Sequence, residues 1–156
     1  QLLSYPLIAI ALPYCKEEDQ SLIMSLCALP IYVILADQWF YFTHRALHHP
    51  TLFRKIHYLH HQWIYPMAVS ALYAHPVEHI ICNIGAMLIG PLIFPTSQVV
   101  LGIWTSIGTL NAVTSHSGLA LPYIQNVRHD LHHRYLSCNY GAAGPSDIMY
   151  GTRRYV

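Results

Sequence analysis

Histidine is the residue in this chain best equipped for chemistry, and its twelve copies are not scattered. All fall in two windows, 44–79 and 116–133. They form repeated groups: His44-x3-His48 with His49, His57-x2-His60-His61, His75-x3-His79, an isolated His116, and His129-x2-His132-His133. Residues three or four apart share one face of a helix about one turn apart, so their imidazoles can reach a single metal ion. His44 and His48, then His57, His60 and His61, then His129, His132 and His133 supply eight ligands, with His116 a candidate ninth. One metal takes about four to six ligands, so the count calls for two. Imidazole serves zinc, copper, iron and nickel, and ligand type alone leaves the metal open. A zinc hydrolase needs three ligands and an open position, fewer than are present. Bis-histidine haem would pair single histidines from separate helices instead of stacking them in clusters.

These histidines must be positioned by a chain with little polar surface. Only 10% of its residues are charged and 54% are hydrophobic, against about 25% charged in ordinary soluble domains. A net charge of +1 gives no case for a nucleic-acid binder and only weak attraction to anionic surfaces. Gln20 to Ala36 carries no charge, and continuing through Trp39 to Phe42 makes a segment long enough to cross a bilayer. A second uncharged stretch, 79–127, is broken by Pro91, Pro95, Thr96 and Ser97, which predicts two helices at 79–94 and 97–115 joined by a tight turn. The chain therefore reads as all-α. It has a partial helix at 1–13, a polar turn at 15–20, a long helix from about Ser21 to His48, a histidine-bearing segment at 49–78, the hairpin, and a polar tail at 116–156.

It is read as one domain over 1–156. The chain starts at Gln1 without an initiator Met, which reads as the surviving part of a longer chain, and no cleavable signal peptide is visible. The four cysteines form no CxxC pair, and the three in or beside apolar stretches read as buried inert thiols.

A hairpin returns the chain to the side it left, so both histidine windows face the same side of the membrane. Arg45, Arg54, Lys55, Arg128, Arg134, Arg153 and Arg154 lie there too, whereas Lys16 lies opposite among three acids. By the positive-inside rule the histidine side is cytoplasmic. The expectation is an integral membrane helical bundle with a cytoplasmic, histidine-rich di-metal cap. Ligating histidines usually pass their second N–H to a carboxylate or carbonyl. Asp37, on the helix face of Tyr41, His44 and His48, and Asp130, beside His129 and His132, are candidate partners, as is Glu78. Trp39, Phe40, Phe42, Trp63, Tyr65 and Trp104 are candidates for interfacial anchoring or for lining a lipid path.

The run Asp37 to His49, followed by His57-Tyr-Leu-His60-His61 and His129-Asp130-Leu-His132-His133, resembles the fatty acid hydroxylase superfamily, the sterol desaturase-like membrane oxygenases. Asn139-Tyr140-Gly141 and Asp147-x3-Gly151-Thr152 look like that family's C-terminal signature, and the resemblance covers about residues 30–152. Tyr73 to Glu78 and His116-Ser117-Gly118 look most like C4-methylsterol oxidases, and His129 to His133 with Cys138-Asn139 resembles cholesterol 25-hydroxylase-type enzymes. Where the family has an aromatic residue before the tail Asp, this chain has Pro145-Ser146.

The resemblance implies two iron ions, O2 as co-substrate, and electrons from NAD(P)H, commonly through cytochrome b5. It also implies a lipid or sterol substrate taken from the bilayer, and an endoplasmic reticulum membrane in a eukaryote. In family terms His44, His48, His57, His60, His61, His116, His129, His132 and His133 match ligand positions, His75 is a candidate tenth, and His79 has no counterpart. Three other readings stay open: a lipid desaturase on the same core, a metal-transporting membrane protein, and an inactive metal-binding relative.

Overall fold

In the computed structural model, residues 22–118 and 126–155 are described, and they are helical with no strand among them. The expected helix at 1–13 and turn at 15–20 lie outside these residues. Helix α1 spans Leu22–Leu47, within a residue of the expected limits. A short α2, Pro50–Lys55, leads into 3-10 turns at His57–Gln62 and Ala68–Leu72. Helix α3, Pro76–Ile93, contains a π-turn at His79–Ile84. Helix α4 is Gln98–Ser115, α5 is Asn126–Tyr135 and α6 is Pro145–Met149.

The hairpin forms as expected, with one difference: Pro91 lies inside α3 and does not end it. The break comes at Pro95, which cannot supply an N–H, and at Ser97, whose side chain caps α4 by accepting from Val100 N at 3.3 Å.

Helix α1 turns inward a stripe containing Ser25, Tyr32, Ala36, Asp37, Tyr41 and His44. Its outer face carries Ile23, Met24 and Ile34, exposed by 72%, 67% and 57%. Polar groups inside and aliphatic groups outside reverse the pattern of a water-soluble helix. Helices α1 and α3 are long and apolar enough to cross a membrane, and only 22% and 33% of their apolar windows are buried by protein. A core helix of a soluble protein would be mostly covered. α1 is also unlike a removable leader, because it carries His44 into the buried histidine cluster.

Small residues let α3 lie close to α1. A Cβ on Gly90 would fall 2.6 Å from the Tyr32 ring, and one on Gly85 would fall 2.6 Å from the Trp39 indole nitrogen. That indole donates to Ile81 O at 2.7 Å, inside the π-turn, and the Trp104 indole donates to Met87 O at 2.8 Å, tying α4 to α3. Tyr32, Ala36, Ala86, Leu101 and Trp104 form the core between the three helices. The turns, α5 and α6 close over the histidine end of this bundle.

Candidate metal centre

Nine imidazoles converge in two adjoining groups. His44, His48, His57, His61 and His132 form a group of five, and His60, His116, His129 and His133 form a group of four; within each, the ligand atoms lie within 4.8 Å of one another. Neighbouring rings of the two groups nearly touch, with His61 and His133 centroids 4.4 Å apart. The sequence windows 44–61 and 116–133 thus meet in one place.

Each three-histidine box divides its ligands between the groups. His57 and His61, four apart, join the five-membered group while His60 joins the other. His129 and His133, also four apart, join the four-membered group while His132 joins the first. The sequence expectation had each box acting as one face. The structure corrects this: the i and i+4 rings share a group and the i+3 ring serves its neighbour.

In the close contacts within each group the converging atom is Nε2. In the five-membered group, His44–His57 and His48–His57 are 3.0 Å, His57–His61 is 2.9 Å, His48–His132 is 3.1 Å and His61–His132 is 3.3 Å. In the four-membered group, His60–His116 is 3.2 Å, His116–His129 is 2.9 Å and His129–His133 is 3.1 Å.

In six of the nine rings the second nitrogen is already committed. Nδ1 of His44, His60, His116, His132 and His133 meets the carbonyl oxygens of Tyr140, Tyr73, Ala112, Cys138 and Trp63 at 2.7–3.2 Å. Nδ1 of His57 meets Glu78 Oε1 at 2.8 Å. A carbonyl or carboxylate only accepts, so each of these Nδ1 atoms carries the proton and each Nε2 presents a lone pair. In the His44–His57 and His60–His116 contacts two such lone pairs face one another at 3.0 and 3.2 Å, which repels unless a cation sits among them.

The spacing also fits a metal. At a metal–nitrogen distance of about 2.1 Å, neighbouring donors of an octahedron stand about 3.0 Å apart and those of a tetrahedron about 3.4 Å apart. The observed 2.9–3.3 Å matches octahedral neighbours more closely. Five and four nitrogens of six leave positions for exogenous ligands in both groups, unlike a closed structural zinc site.

Burial keeps the rings neutral. His48 is lowered to about 2 and His133 to about 3, in both cases mainly by desolvation and then by neighbouring histidines; for His133 the Trp63 carbonyl partly opposes this. His57, His60, His61, His129 and His132 are lowered for the same leading reason. Neutral imidazole is the form that binds a metal.

The structure sorts the other candidates. His75 stands outside both groups; its Nδ1 accepts from Val77 N at 3.2 Å and caps the start of α3, so it is not a tenth member. Exposed His49 is in neither group, and His79 pairs with Asn83 at 3.2 Å.

Among the described residues no hydrogen bond joins Asp37 or Asp130 to an imidazole, which corrects their expected role as ring partners. Asp37 Oδ1 accepts from Ala143 N and Gly144 N at 2.6 and 3.0 Å, and Oδ2 accepts from Ser146 N and Oγ at 2.8 and 2.6 Å. Asp147 holds the same loop through Tyr140 N, Gly141 N and Thr152 Oγ1. Asp37 therefore acts at one remove, fixing the loop whose Tyr140 carbonyl orients His44. Ser146, where the family has an aromatic residue before the Asp, is an Asp37 ligand. Asp130 has a buried Oδ1 without a partner. Sequence reasoning missed the five carbonyls, since a backbone oxygen carries no residue signature; only Glu78 could be read ahead.

A cavity of about 690 Å³ opens beside the histidines between α1, α3 and α4, with Phe40, Met87, Leu88 and Leu110 in its wall and His44, His60, His116 and His129 at its end. Of the aromatic candidates, Phe40 lines this cavity and Trp104 is core.

The "Fatty acid hydroxylase" family model matches residues 29–152. "Fatty acid hydroxylase domain-containing protein 2" of Homo sapiens is 33% identical over 159 residues, covering 97% of this chain and 48% of that protein. "Methylsterol monooxygenase 1" of Danio rerio is 35% identical over 118 residues, covering 70% of this chain and 40% of that protein. "Fatty acid hydroxylase ahd1" of Mycosarcoma maydis is 34% identical over 123 residues, covering 78% and 32%. The chain spans about half the length, or less, of these relatives. No solved structure matches it. The matched span takes in every converging histidine together with Asp37 and the loop it holds, and by that match the chain belongs to the fatty acid hydroxylase family.

Proposed function

We propose that this chain is the oxygenase core of a membrane-bound, non-haem di-iron enzyme that hydroxylates a lipid C–H bond with O2, with a sterol or fatty acyl lipid as substrate. Electrons come from NAD(P)H through a carrier protein such as cytochrome b5. The observation that carries this reading is the pair of all-imidazole groups opening onto an apolar cavity. Two outward-apolar helices and the positive-inside asymmetry support a bilayer location with the histidines on the cytoplasmic face, in the endoplasmic reticulum if the source is eukaryotic.

The donor set fits iron in two places: His44, His48, His57, His61 and His132 would hold one ion, and His60, His116, His129 and His133 the other. When bound, the irons supply the oxidant for an unactivated C–H bond, which no side chain can provide. The protein's own part is positional. Tyr140, Tyr73, Ala112, Cys138 and Trp63 carbonyls and Glu78 hold His44, His60, His116, His132, His133 and His57 in the tautomer that offers Nε2. The apolar wall admits a lipid chain and limits water near the reacting carbon.

Purified full-length protein is expected to hold about two irons per chain and to transfer one atom of ¹⁸O2 into lipid when reduced. One zinc or one haem per chain would overturn the reading, and loss of two hydrogens without gained oxygen would convert it to desaturation.

A further inference from the structure

The cavity contains a polar feature that holding metal does not explain. Most polar side chains on its α4 wall spend their donors locally. Thr105, Ser106 and Thr109 donate to the carbonyls of Leu101, Gly102 and Thr105 at 3.0, 2.7 and 2.8 Å. The Asn111 amide goes to Ala142 O at 3.3 Å. Across the cavity, on the π-turn of α3, Asn83 and His79 bond to each other at 3.2 Å and both line the space. A carboxamide in an apolar helix is costly to keep dry, and π-turns recur at functional sites.

We propose that Asn83, held by His79, anchors the hydroxyl of an uncharged lipid inside this cavity; its bearing on catalysis rests on the lipid-oxygenase reading above. The chemistry holds for either orientation of the amide. If Asn83 donates its N–H to His79 Nδ1, its carbonyl oxygen remains to accept from a lipid O–H. If it is turned and accepts from Nδ1–H, its amide remains to donate to the lipid oxygen. A hydroxyl answers both, because it donates and accepts.

Charge disfavours a fatty acid carboxylate at the same place. Among the described lining residues the one Lys or Arg is Arg128, at the histidine end, where it donates to Ala143 O and faces Asp147 and Asp37. Glu78 lies only five residues from Asn83, roughly 7 Å along a helix. A carboxylate at Asn83 would be buried near an acid and without a counter-charge.

The test is equilibrium binding to detergent-solubilised full-length protein, metal-free and metal-loaded, with four probes: cholesterol, cholest-5-ene, octadecanol and octadecanoate. Wild-type protein is expected to bind cholesterol at least about tenfold more tightly than cholest-5-ene, and octadecanol more tightly than octadecanoate. Asn83→Leu is expected to bring each pair within about twofold, and Asn83→Ser to restore part of the preference. Equal affinities in the wild type, no saturable binding of either alcohol, or a preference surviving Asn83→Leu would overturn the anchor. The wild-type comparison stands even if the variants fold poorly. Selective alcohol binding by metal-loaded protein that oxidises nothing under reductant and O2 would sink the oxygenase reading and leave the anchor in place.

Discussion

Replacing Asp37 with Asn tests how the fold holds its histidines, because Asp37 touches no imidazole yet is 1% exposed and central. Its two oxygens accept four hydrogen bonds, from Ala143 N, Gly144 N, Ser146 N and Ser146 Oγ. Asn keeps one acceptor oxygen and turns an amide toward the other donors, so at least one backbone N–H loses its partner and the rest lose charge assistance. Hydrogen bonds to charged groups contribute about 1.5–3 kcal/mol and neutral ones about 0.5–1.5, so the substitution should cost about 3–5 kcal/mol. That is a large share of the roughly 5–15 kcal/mol that keeps a domain folded. The loss falls on the loop that presents Tyr140 O to His44 Nδ1, 2.8 Å away. Loosening that partner should weaken metal in the five-membered group about 10–100-fold and leave the four-membered group nearly intact. Metal content after a graded chelator challenge, read beside thermal unfolding in detergent, measures both effects. The expected result is a lowered Tm and loss of about one metal of two. Two metals retained at wild-type Tm would refute the reasoning.

The splitting of the boxes predicts that His57→Ala and His61→Ala weaken the same metal, while His60→Ala weakens the other; chelator titrations in which His60 and His61 variants lose the same ion would contradict it. Glu78→Leu removes the acceptor for His57 Nδ1–H and should lower metal affinity about 10–100-fold, whereas Glu78→Gln keeps an acceptor and should lose much less. Stability of the metal-free protein should fall as pH drops below about 6.5, the unfolded histidine value, because the unfolded chain takes up protons that folded His133 refuses until about pH 3. Each such histidine contributes a slope of about 1.4 kcal/mol per pH unit in that window; a Tm flat from pH 7 to 5 would count against it. Gly90→Leu should force the Tyr32 ring away from α3 and cost about 1–3 kcal/mol by overpacking, visible as a lowered Tm.

What the sequence determined by itself was composition and period. Spacings of three and four nominate the eight clustered histidines, and the apolar runs nominate α1 and the hairpin, since such patterns follow directly from helix geometry and from the thickness of a bilayer. The hairpin also makes the two histidine windows neighbours, by topology alone. Tertiary structure decided which ring joins which group, because that depends on how the 57–62 turn and α5 face each other and not on any spacing within either. It decided that His75, spaced from His79 like a ligand pair, caps a helix while the isolated His116 enters the four-membered group. It kept Glu78 as the partner of His57 but gave five other rings backbone carbonyls, and moved Asp37 from the rings to the loop at 143–146, over 100 residues away in the chain. A backbone oxygen has no letter in the sequence, so the partners that orient most of these imidazoles could appear only once the chain had folded around them.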